Sequence, residues 1–181
     1  MTCTVHPSLI LWLSILFYLD RHILLPFFLS TALHELGHYL MLRFLGKPPH
    51  AIILGFSGAQ METRSLTYRE ELYAAAAGPA VSLLLGVALP LWPALAVYSV
   101  ILGCFNLLPI PGLDGGRILS SLLMMHLRPE TARRICKYMA MLTALAVWGG
   151  ALYLSGPLHF GMWPILLAAM LLYRALSMDG L

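Results

Sequence analysis

The sequence predicts an all-α polytopic membrane protein, a single domain over residues 1–181 with about six transmembrane segments. Composition is the first reason: 60% of the residues are hydrophobic and 10% are charged, against roughly 25% charged in soluble domains. A soluble fold of this length would have nowhere to put the surplus apolar surface. The second reason is pattern. The apolar runs are long and continuous, without the period-two alternation of strands. Backbone groups in hydrocarbon must pair internally, so the choice lies between a helical bundle and a closed barrel, and the run lengths favour helices.

Six segments follow in order, at 8–19, 23–45, 68–89, 92–108, 138–155 and 158–176. The first is short for a span of ~20 residues. No Lys or Arg precedes it, and Asp20-Arg21-His22 follow it in place of a small-residue cleavage site, so it reads as a retained helix. Between the second and third segments lies "AIILGFSGAQMET". Its β-prone arm Ala51 to Leu54, the turn residues Gly55 to Gly58, and the polar Gln60, Glu62 and Thr63 suit a small hairpin or, equally, a connecting loop.

If the segments alternate, Arg43, Lys47, Arg64, Arg69, Arg117, Arg128, Arg133, Arg134, Lys137 and Arg174 share one side and Arg21 falls on the other. The positive-inside rule makes the basic side cytoplasmic, and contact with lipid headgroups is compatible with that. Cys3, Cys104 and Cys136 are odd in number and scattered, which suits neither a disulfide framework nor a zinc knuckle. The expected partners are the lipid bilayer and membrane proteins, with no nucleic acid.

Within the second segment stands "HELGH". His34 and His38 are four apart, so on a helix both imidazoles project from one face and can ligate one metal ion. Glu35 follows the first ligand, where its carboxylate can reach a metal-bound water. This is the arrangement of a zinc hydrolase, in which the metal lowers the pKa of water toward ~7 and the glutamate takes its proton. Idle polar groups at this depth are disfavoured, since a charge at the bilayer centre costs ~2.5–3.5 kcal/mol even on the lenient insertion scale. A packed, hydrogen-bonded histidine is the plainer alternative for either imidazole.

A catalytic zinc normally has three protein ligands and one open position. The candidate third donor is Asp114 in "NLLPIPGLDGGRIL", at the cytoplasmic end of the fourth segment. Pro109 and Pro111 interrupt the helix there, and Gly112, Gly115 and Gly116 let the chain turn before a new helix. The second and fourth segments both run toward the basic side, which puts HELGH and Asp114 at similar depth. Helix N-capping is the alternative role for Asp114.

HELGH in one segment with N-x-x-P-x-P-x-x-D-G in a later one resembles the site-2 protease family of intramembrane zinc metalloproteases, over about residues 23–127. The resemblance implies a three-helix catalytic core made of the second to fourth segments. It implies zinc held by His34, His38 and Asp114, Glu35 as general base, and Asn106 holding substrate or stabilising the developing oxyanion. It also implies a zinc metalloendopeptidase cleaving a peptide bond in or near a transmembrane segment of another protein, with a regulatory membrane protein as a further partner. The family often has G-P-x-x-N in the third core span, whereas "AAGPAVS" keeps Gly78 and Pro79 but has Ser82 in the Asn position. No PDZ or CBS module is expected. A cytoplasm-facing site resembles the sporulation-type branch and implies a bacterial or archaeal cell membrane. A metal-ion transporter or metal-binding scaffold is the rival from another class, but it gives Glu35 no task. A prenyl-protein-type HExxH protease would draw its third ligand from a glutamate.

Overall fold

The computed structural model describes residues 2–5, 21–55, 58–88, 90–156 and 161–177. The first expected segment, at 8–19, lies outside these residues. The chain divides into two compact units, Met1–Asn106 and Leu107–Leu181.

In the first unit, three helices pack against one another: α1 (Arg21–Phe44), α2 (Tyr68–Leu84) and α3 (Pro93–Asn106). α1 stops because Gly46 adopts φ +72°, which a side chain would resist. The Gly46 and Lys47 amides then bond back to the carbonyls of Arg43 and Leu42 at 3.0 and 2.9 Å, closing the helix end. α2 begins with a capping box. The Thr67 side chain accepts from the Glu70 amide, while the Glu70 carboxylate accepts from the Thr67 amide at 2.7 Å. Lys47 Nζ reaches that carboxylate and the Ser65 carbonyl, both at 2.8 Å, tying the exit of α1 to the entry of α2.

Between these two ends, β2 (Ala51–Gly55) and β3 (Gly58–Glu62) form an antiparallel hairpin, Ala51 opposite Glu62, which decides between the two readings of this stretch. β1 (Thr2–Val5) lies parallel to β2 on its other side, so the sheet order is β1-β2-β3.

The contacts among α1, α2 and α3 are made by small residues. Ala74, Ala75, Gly78, Ser82, Ala96, Ser99 and Gly103 are all buried. A Cβ on Gly37 would come within 2.8 Å of the Ala77 carbonyl oxygen, and one on Gly103 within 2.9 Å of Ser82 Cβ. Small residues allow helices to approach closely where lipid provides no hydrophobic drive between them. The fully buried Ser99 donates to Ser30 Oγ at 3.0 Å, and Ser30 donates to the Pro26 carbonyl at 2.7 Å, so the polar groups linking α1 and α3 have partners.

The second unit opens with the turn through Pro109 and Pro111 and continues as α4 (Asp114–His126), α5 (Pro129–Ser155) and α6 (Trp163–Leu176). Helix α5 starts at Pro129, not at 138 where the apolar run begins. Pro at the first helical position and Glu130 in the first turn favour that start, and the basic stretch after them consists of good helix formers. Ala132, Cys136, Ala140 and Ala144 recur every fourth residue as its buried stripe. Its outward face carries Tyr138, Leu142, Leu145 and Tyr153, all exposed.

Among the described residues, α5 is the helix long and apolar enough to cross a membrane, and α3 is a shorter apolar helix. α1 has 24 residues, but its hydropathy is lowered by His34, Glu35 and His38.

Two glycine substitutions should act in opposite directions on the melting temperature of the detergent-solubilised protein. Gly37→Ala drives a methyl into the α2 backbone and should cost about 1–3 kcal/mol. Gly149→Ala meets nothing within 4 Å in mid-α5 and should raise stability by about 0.5–1 kcal/mol through helix propensity.

Candidate metal centre

His34 and His38 lie one turn apart on α1, and both are buried, at 3% and 7% exposure. Their Nε2 atoms face each other at 3.2 Å. Two nitrogens bound to one tetrahedral zinc at about 2.0–2.1 Å would be roughly 3.3–3.4 Å apart, so the spacing fits a shared ion.

The opposite ring nitrogens are both engaged. His38 Nδ1 lies 2.7 Å from the Ala74 carbonyl oxygen of α2. A carbonyl only accepts, so Nδ1 carries the hydrogen and the lone pair sits on Nε2. His34 Nδ1 lies 2.9 Å from Ser82 Oγ, also on α2. Ligating imidazoles almost always bond through their other nitrogen in this way.

Gly78 makes room for this arrangement. A Cβ there would fall 2.8 Å from His38 Cδ2 and closer still to Nε2 and Cε1. The imidazole occupies the space a side chain at 78 would need. Glu35, next in sequence to His34, is half-buried.

Asn106 is the last residue of α3, and its Nδ2 donates to the Leu102 carbonyl at 3.1 Å. One amide hydrogen is therefore turned back onto its own helix.

In the second unit, Asp114 is the first residue of α4 and is 7% exposed. The N-cap is Leu113, with no side-chain cap bond, so Asp114 does not fill the capping role that was its alternative. Its Oδ1 accepts from Arg117 Nη1 at 3.3 Å. The two glycines after it are sterically required: a Cβ on Gly115 would overlap the Leu107 carbonyl, and one on Gly116 the Ile110 carbonyl. Gly112 has φ +83°. Two imidazoles on α1 supply part of a zinc donor set, and a buried carboxylate such as that of Asp114 is the ligand type that would complete one.

Sequence reasoning missed two contributors. In the sequence Ser82 is a polar residue that could line a water path to the metal, with nothing to tie it to His34, and Ala74 contributes through its backbone, which leaves no side-chain signal.

Comparison with known proteins gives a consistent picture. The family model described as Peptidase family M50 matches residues 86–147. A zinc metalloprotease of Methanocaldococcus jannaschii is 34% identical over 111 residues, 53% of this chain and 32% of that protein. A protein of Synechocystis sp., provisionally named a zinc metalloprotease, is 37% identical over 111 residues, 52% of this chain and 29% of its own length. The matched stretch thus spans about a third of these curated relatives. Among solved structures, the site-2 protease from Methanocaldococcus jannaschii matches with a TM-score of 0.68 and 25% identity, over 98% of this chain and 90% of that one. The resemblance to the site-2 protease family carried by HELGH and NLLPIPGLDG is thereby borne out.

Proposed function

We propose that this chain is a zinc metalloendopeptidase that cleaves a peptide bond in or near a transmembrane segment of another protein. The observation that carries the reading is the 3.2 Å spacing of the two Nε2 atoms, with both Nδ1 atoms engaged by α2. That geometry suits a tetrahedral cation, and the likeness to zinc metalloproteases supports zinc.

His34, His38 and Asp114 hold the ion. When bound, zinc polarises the scissile carbonyl and lowers the pKa of water. Glu35 takes the proton of the attacking water and returns it to the leaving nitrogen. Asn106 has one amide hydrogen on Leu102 and presents the other to the substrate carbonyl or the oxyanion.

A substrate helix hides its carbonyls in its own hydrogen bonds, so the scissile stretch must first unwind. β3 is an outer strand of the sheet and offers its edge to the extended chain, by β-augmentation. The catalytic core is the region of about residues 23–127, set among about six membrane spans. The basic loops support an active site that opens toward the cytoplasm of a bacterial or archaeal cell. The transporter reading supplies metal ligands but gives Glu35 no proton to move.

Two variants test the roles separately, with zinc measured by elemental analysis and cleavage assayed on a panel of membrane-tethered peptides. Glu35→Gln should keep its zinc while cleavage falls by roughly 10²–10⁴-fold; unchanged cleavage would remove Glu35 from the mechanism. Asp114→Ala should lose most of its zinc after dialysis against a mild chelator, and full retention would exclude the carboxylate as a ligand.

A further inference from the structure

We propose that Ser82 is a positioning residue for His34, holding its ring so that Nε2 presents a lone pair to the metal. The inference deepens the zinc reading above and rests on it.

Three observations carry it. Ser82 has no exposed surface, and its Oγ lies 2.9 Å from His34 Nδ1 across the α1–α2 contact. Its position is held from behind, because Gly103 of α3 packs so closely that a Cβ there would come within 2.9 Å of Ser82 Cβ. The two imidazoles are also held by chemically different partners. His38 faces a carbonyl, which fixes its tautomer outright. His34 faces a hydroxyl, which can accept a hydrogen or donate one.

With both Nε2 lone pairs directed at a cation, His34 keeps its hydrogen on Nδ1 and donates it to Ser82 Oγ. If His34 carries its hydrogen on Nε2, the same hydroxyl rotates and donates to Nδ1. Either way the buried ring stays satisfied and does not turn. The position where the related family often has Asn is thus occupied by a smaller group of the same dual capacity, seated against a residue without a side chain.

Zinc affinity of the full-length protein in detergent, measured by competition with a chromophoric chelator, tests this. Ser82→Ala should raise the zinc dissociation constant by roughly 10–100-fold. It should also shrink the zinc-induced rise in melting temperature and alter the visible spectrum of the cobalt-substituted protein. Ser99→Ala removes an equally buried serine between α1 and α3, away from the imidazoles, and should leave zinc affinity unchanged. Wild-type affinity in Ser82→Ala would overturn the proposal. So would an equal loss in both variants, since weakened binding would then follow general loosening of the bundle. A wild-type protein that binds no zinc would instead overturn the zinc reading itself, and this inference with it.

Discussion

Two imidazoles set inside an apolar three-helix bundle must each find a polar partner, and here both partners come from a single neighbouring helix. His38 bonds to the Ala74 carbonyl and His34 to the Ser82 hydroxyl, so α2 alone satisfies both outer nitrogens of the pair on α1. This requires the two helix backbones to run very close together. Gly37 and Gly78 lie where any Cβ would collide with α2 backbone or with the His38 ring. The wealth of glycine, alanine and serine along these helices therefore has a chemical reason as well as a packing one. Larger side chains would separate α1 from α2 and leave buried nitrogens unpaired, at a cost of several kcal/mol in hydrocarbon.

Much of this was legible in the residues themselves. Residues four apart share one face of a helix, so HELGH marks a histidine pair projecting the same way. Pro109, Pro111 and the glycines around Asp114 marked a break and restart, and the chain does leave α3 at Asn106 and begin α4 at Asp114. The hairpin at 51–63 was readable as one of two options because turn residues separate two short arms. What was hidden is physically different in kind. A backbone carbonyl such as that of Ala74 carries no side-chain signature, and Ser82 meets His34 across 48 positions of sequence. The early start of α5 was missed because hydropathy registers Arg and Lys as loop-like, while their straight aliphatic stems favour a helix.

The same contrast explains how polar chemistry can reside in such an oily chain. Tyr138, Leu142, Leu145 and Tyr153 of α5 point outward, an apolar face suited to lipid. His34, Ser82, Ser30 and Ser99 point inward and are bonded to one another or to carbonyls. Within the first unit the polar groups are thus paired with protein atoms in the helix contacts.

The hairpin between α1 and α2 is pinched shut at its root. Thr63 Oγ1 donates to the Lys47 carbonyl at 2.9 Å, the His50 amide bonds to the Glu62 carbonyl at 2.9 Å, and Lys47 clamps the start of α2. The two strands therefore leave and re-enter the bundle at one closed point. A load placed on the hairpin would thus reach α1 and α2 through these bonds, at the helix ends and not at the histidine pair.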